Sequence, residues 1–78
     1  MARLRLFAAA AEAAGVRADQ VHAATVGEVL RAAEDRYGPA YAAVAAHCRV
    51  WCNGEPAEDS HPVGDDDEVA VLPPVSGG

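Results

Sequence analysis

A chain of 78 residues with a net charge of −6 is one small domain, near the lower limit at which a single core holds a fold unaided. Its twelve acidic and six basic residues argue against nucleic acid or an anionic membrane as partner, because recognition of either begins with clustered positive charge. No run approaches the ~18 apolar residues of a spanning helix, and residues 8–14 lack the basic region and long apolar core of a leader, so a soluble, cytoplasmic protein is expected.

Half of the residues are apolar (51%), but many of these are alanine, which buries little area. The expected core therefore rests on Leu4, Leu6, Val26, Leu30, Val50, Val69 and Val71. Each contributes about 1.5–3 kcal/mol when fully buried. So small a core leaves little room for a catalytic cavity, and a binding module or subunit is expected rather than a self-contained enzyme.

Residues 3–8 alternate polar and apolar, the period of a half-buried strand. Leu4 and Leu6 share one face; Arg3, Arg5 and Phe7 share the other. The alanine run 8–14 favours helix but stops at Gly15, which allows a turn or two. Residues 20–24 suit a second strand, in a hairpin with the first. Thr25-Val26-Gly27-Glu28 then reads as a capping box, with Thr25 at the N-cap and Glu28 reaching back to it. Val26, Leu30, Ala33 and Tyr37 follow at helical spacing, and Gly38-Pro39 ends the helix. Residues 39–46 are expected to be a short helical or irregular connection.

A third strand is expected over 48–53, a turn over Asn53-Gly54-Glu55-Pro56, a polar loop over 57–66, and a last strand over 68–72. The order β-β-α-β-β, with one main helix across one face of a small mixed sheet, predicts an α+β fold of the ubiquitin-like β-grasp type. On the strand reading Cys48 and Cys52 lie about 13 Å apart, whereas a disulfide needs Cα atoms within about 7 Å. Both are expected to be free thiols. His47 and His61 do not complete a standard zinc spacing with them.

Alternation also leaves apolar residues over. If the first and last strands are neighbours, Phe7 and Leu72 lie together on the sheet face away from the helix, and Pro73 and Pro74 extend that face. A grouped apolar patch on an acidic domain marks a partner surface. The alternative is that the alanine-rich segment 8–14 folds over it.

The chain closes on Pro73-Pro74-Val75-Ser76-Gly77-Gly78. The prolines fix an extended path, and glycine, without Cβ, passes a narrow channel. A stiff stalk carrying a thin carboxylate tip suits activation at the α-phosphate of ATP. A terminal Gly-Gly alone is equally a permissive chain end.

The stretch Gly64-Asp65-Asp66-Asp67-Glu68-Val69-Ala70-Val71-Leu72-Pro73-Pro74-Val75-Ser76-Gly77-Gly78 resembles the MoaD/ThiS family of ubiquitin-like sulfur carriers, nearest its molybdopterin synthase small-subunit branch. That family shows Asp-Gly-Asp-Glu-Val, an apolar strand, then Pro-Pro-Val-x-Gly-Gly. The resemblance extends to Phe7-Ala8, Glu12, Gly15, the central helix and His61-Pro62.

It implies that an E1-like adenylating enzyme activates Gly78 with ATP and that a sulfur donor converts the adenylate to a thiocarboxylate. The large subunit of molybdopterin synthase, in a heterotetramer, would then receive the tail, with Gly77 as the second threading residue. Phe7, Leu72, Pro73, Pro74 and Val75 would dock both partners. No cofactor or metal would be held stably, and the chain would be a sulfur-donating subunit rather than an enzyme on its own. The domain would span 1–78, with 73–78 an extended, flexible tail.

Two positions depart from the family pattern: Asp66 replaces the usual glycine at a turn, which is expected to survive because Asp tolerates a left-handed backbone better than most residues, and Ala11 stands where many relatives carry a basic residue. Three other readings stay open: a carrier for thiazole or cysteine synthesis, a modifier joined to target lysines through Gly78, and an interaction domain with an inert tail.

Overall fold

The structure, a computed structural model, describes residues 1–74. Val75, Ser76, Gly77 and Gly78 lie outside the described residues, so the tail expected over 73–78 is described only at Pro73 and Pro74. The elements run β1 (Ala2–Leu6), α1 (Ala8–Ala14), β2 (Ala18–Val21), α2 (Val26–Tyr37), α3 (Pro39–Ala45), β3 (Arg49–Cys52), β4 (Glu55–Pro56) and β5 (Glu68–Leu72). The five strands form one mixed sheet in the order β2-β1-β5-β3-β4. β1 and β5 pair in parallel at its centre; the other pairs are antiparallel. This is the α+β β-grasp arrangement, with α1 and α3 as the short helix expected over 8–14 and the helical form of the connection expected over 39–46, beside the one main helix.

The alternation in β1 does what its period requires. Ala2, Leu4 and Leu6 are buried, while Arg3 and Arg5 are exposed. Leu4 lies beside Val69 and Leu6 beside Val71, so β1 and β5 present one apolar face. Val26, Val29 and Ala33 of α2 pack on it, fully buried. The helical stripe therefore centres on Val29, and Leu30 and Tyr37, expected in it, are half-buried at its edge. Val50 is likewise half-buried.

The start of α2 differs in one bond from the expected capping box. Thr25 Oγ1 accepts from the Glu28 N–H at 3.2 Å, but the Glu28 carboxylate accepts from the Ala24 N–H at 3.0 Å. It reaches one residue beyond the N-cap.

β2 begins two residues before the expected 20–24 and ends at Val21. The cause is α1. Its last turn closes at Gly15 in the left-handed region (φ 81), whose N–H donates to the Ala11 carbonyl at 2.9 Å. The chain thus re-enters the sheet at Ala18, opposite Arg5. At the other edge, Asn53 (φ 52) and Gly54 (φ 84) form a two-residue hairpin of the kind requiring positive φ at both positions. This places a short strand, β4, where only a turn was expected.

Gly38 ends α2 and begins α3 with φ 93 and ψ −177, a backbone region essentially reserved for glycine. Nothing lies within 4 Å of a Cβ placed there, so the conformation, not crowding, makes glycine necessary. Gly38→Ala is expected to cost about 1–3 kcal/mol, read as a lower urea midpoint with an unchanged m-value.

α3 places Tyr41 at the centre of the core. It is the largest fully buried side chain, and its ring meets Tyr37 edge-on at 5.2 Å between centroids. The Tyr41 hydroxyl has no hydrogen-bond partner. Tyr37 instead donates to Asp19 Oδ2 on β2 at 2.5 Å. Arg36 Nη1 donates to the same oxygen at 2.8 Å and to the Gln20 carbonyl at 3.0 Å.

These donors hold the Asp19 carboxyl down at about 2, the Tyr37 hydroxyl contributing most. A carboxyl lowered on folding stabilises above its unfolded value and loses that contribution as pH falls through the folded one. The clasp between β2 and α2 should therefore weaken between about pH 4 and pH 2. Asp19 is partly solvated, so its contribution is about 1 kcal/mol after screening. Asp19→Asn should flatten the acid limb of a stability–pH curve, measured by urea melts at stepped pH.

Candidate functional site

Phe7 follows β1 with an extended backbone (φ −127, ψ 149), and its N–H donates to the Val71 carbonyl at 3.2 Å. The next residue, Ala8, is in the left-handed region (φ 52). That is an unfavoured state for a residue with a Cβ, and it turns the chain sharply from strand into α1. Phe7 is left 39% exposed. α1 does not fold over it: Ala10 is buried and the helix packs against α3.

Phe7 instead walls an apolar groove of about 380 Å³, lined by Ala8, Ala9, Ala43, Val44, His47, Cys48, Pro73 and Pro74. Three of the expected docking residues thus meet in one place. Leu72 is not among them. It lies on the outer face of the sheet, half-buried, directly opposite Arg49. Phe7, in extended backbone one residue past Leu6, which pairs with Val71, continues the strand register toward Leu72 and also borders the groove against α3.

The outer face continues from Leu72 through Ala70, opposite Trp51, to Glu68, and Arg3, Arg5 and Arg49 share it by register. Half-buried Trp51, Ala70 and Leu72 are thus flanked by three arginines. Arg5 Nε approaches Glu68 Oε2 at 4.0 Å. A second groove, on the other side of Phe7, is lined by Arg5, Ala11, Glu12 and Arg17. Arg5 and Arg17 give it the cationic character that Ala11 does not supply.

A model of the ThiS family matches residues 4–78. The chain belongs to the ThiS family.

Its members are ubiquitin-like sulfur carriers and modifiers rather than catalysts in their own right. The crystal structure of small archaeal modifier protein 1 (SAMP1) from Haloferax volcanii is 36% identical. It aligns over 99% of this chain and 98% of that one, with a TM-score of 0.84. The solution structure of SAMP1 from Methanosarcina acetivorans is 29% identical, over 99% and 95%, with a TM-score of 0.80. A complex of subunits 1 and 2 of molybdopterin-converting factor from Helicobacter pylori shares the fold at 22% identity, over 99% and 97%, with a TM-score of 0.71. No curated protein sequence matches significantly.

In this ThiS-family chain the strand that leads to the tail is firmly seated. β5 lies between β1 and β3, and the turn before it is tied across to the Asn53 hairpin. Asp67 accepts from Asn53 Nδ2 at 2.9 Å and from the Gly64 N–H at 2.7 Å. The Glu68 N–H donates to Asn53 Oδ1 at 2.9 Å. These donors, Asn53 first, hold the Asp67 carboxyl below its usual range. The turn survives with Asp66 in place of glycine, and without a left-handed backbone there: among described non-glycine residues only Ala8 and Asn53 have positive φ. The turn closes through Asp67, so the usual glycine is dispensable.

Both cysteines are free. Cys48 donates its Sγ–H to the Val44 carbonyl at 3.4 Å, and burial pushes both thiols up. Among the described residues no three metal-ligating side chains gather, and no helix is long and apolar enough to cross a membrane. Ala43, Val44 and His47 went unseen in the sequence because only the long-range packing of α3 on α1 brings them to Phe7.

Proposed function

We propose that this chain is a sulfur carrier for molybdopterin synthesis, working through the carboxylate of Gly78. The observation that carries the reading is the groove at the base of the tail: Pro73 and Pro74 line it with Phe7, in a chain of the ThiS family. A partner seated there holds the point from which the last residues depart.

An E1-like adenylating enzyme would direct a Gly78 carboxylate oxygen to the α-phosphorus of ATP and expel pyrophosphate. A sulfur nucleophile then attacks the acyl carbon and AMP leaves, giving a thiocarboxylate. In the large synthase subunit that sulfur attacks the pterin precursor, and water releases the carboxylate again. The carrier contributes a docking face and a thin tip; its partners supply the catalysis.

With a competent activating enzyme, ATP and a sulfur source, intact mass should show one oxygen of the chain replaced by sulfur. An unchanged mass would overturn the reading. Release of molybdopterin on adding the large subunit and the pterin precursor would then assign the pathway.

A second reading, a protein modifier conjugated through Gly78, draws on the higher identity to SAMP1 (36%) than to the molybdopterin-converting subunit (22%). Conjugates in cell lysate that vanish on deletion of Gly78 would favour it.

A further inference from the structure

All six basic residues of the sequence are arginine, and lysine is absent. This bears on any chain whose carboxylate is activated. An acyl-adenylate or thioester is captured by unprotonated amines and by thiolates. A guanidinium, protonated up to about pH 12, offers no free lone pair. Arg36 is in addition committed to Asp19 and the Gln20 carbonyl.

The chain's one remaining amine is the Met1 α-amine, which lies on the exposed surface and donates to Asp65 Oδ1 at 2.5 Å; the two thiols are more restrained. Cys52 faces the core at 4% exposure. Cys48 matters most, because it lines the same groove as Pro73 and Pro74 at the base of the tail. Its Sγ–H is given to the Val44 carbonyl, and it is half-buried against α3.

We propose that the domain is a one-way acyl donor at its side chains: it presents no side-chain amine and no freely exposed thiol able to capture its own activated carboxylate, and so makes no chains linked through its own side chains. The inference rests on the carboxylate-centred reading but holds for a sulfur carrier and a modifier alike. For a carrier it removes lysine aminolysis as a route by which activated chain is lost. For a modifier it bars lysine-linked chains of the domain on a target. Burial also raises both thiols, which keeps their thiolate fraction low.

The test needs no activating enzyme, so its failure is separable from failure of the functional reading. The full chain, with its Met1 α-amine acetylated in wild type and variants alike, is prepared as the C-terminal thioester of a small thiol and held at pH 9. In aminolysis the amine nitrogen bonds to the acyl carbon, the C–S bond breaks and the small thiol leaves with the proton. Arg31→Lys and Glu34→Lys place a lysine on the exposed side of α2.

At pH 9 about 4% of a lysine side chain is unprotonated against under about 0.1% of a guanidinium, so each variant should give at least ~tenfold more amide-linked dimer than wild type by intact mass. Wild type should only hydrolyse. Wild-type dimer within that factor of the variants would overturn the proposal. So would a wild-type cyclic thioester, seen as loss of the small thiol without gain of water and abolished in Cys48→Ala.

Discussion

Tyr41→Ala is expected to lower the melting temperature by at least ~12 °C, whereas Tyr41→Phe should stabilise the domain. Removing a buried aromatic ring costs about 3–5 kcal/mol, lost transfer and cavity together. A chain of 78 residues has about 4–12 kcal/mol of stability in total. Alanine at 41 also removes the edge-on contact with Tyr37, which loosens the end of α2 carrying Arg36. At about 4–8 °C per kcal/mol for a domain of this size, loss of the ring corresponds to a fall of ~12–40 °C in the melting temperature.

The phenylalanine variant isolates the hydroxyl. That group is buried without a partner, and burial pushes its ionisation up to about 12, so it stays a neutral, desolvated donor. An unsatisfied buried group costs about 1–3 kcal/mol. Removing it while keeping the ring should raise stability by about 1 kcal/mol and the midpoint by ~4–8 °C. A lower midpoint for Tyr41→Phe in the same thermal and urea melts would show that the hydroxyl is hydrogen-bonded in solution.

Tyr41 also marks where sequence reasoning ran out. Strands β1 and β5 were legible because burial on one face forces alternation, and Leu4, Leu6, Val69 and Val71 carry that signal. The N-cap of α2 was legible because Thr25 acts within its own turn. α3 carries no such pattern. In Pro39-Ala40-Tyr41-Ala42-Ala43-Val44-Ala45 most positions are alanine, which is neutral about which side faces inward. A core sought among leucine and valine misses a tyrosine whose burial is decided by α1 and α2 packing around it.

The site shows the same division. Parity along β1 and β5 points Phe7 and Leu72 outward, but it says nothing of what lies beyond the turn at Ala8. The left-handed residue Ala8 starts α1 immediately after Phe7, and α3 closes the far wall of the groove that Phe7 borders. The tail motif was legible because it is contiguous; the groove at its base was not, because its walls are residues 7–9, 43–48 and 73–74.

Appending a single residue after Gly78 is expected to abolish thiocarboxylate formation and leave the melting temperature unchanged. The reacting atom in the proposed chemistry is the Gly78 carboxyl carbon. One added residue converts that carboxylate to an amide, which cannot attack the α-phosphorus of ATP. The loss should be complete and should persist at saturating activating enzyme.

Phe7→Ser tests the other half of the site and should behave differently. It leaves the carboxylate intact and removes one exposed anchor from the groove. An aromatic at the centre of an interface contributes about 2–4 kcal/mol, so transfer at limiting partner should fall ~30- to 1,000-fold. Raising the partner concentration should restore it, because the defect lies in docking and not in chemistry. The pair of variants thus separates tip from handle by dose response. Sulfur transfer by the extended chain would remove Gly78 from the mechanism. A Phe7→Ser defect that excess partner does not rescue would instead move Phe7 from docking to positioning of the reacting tail.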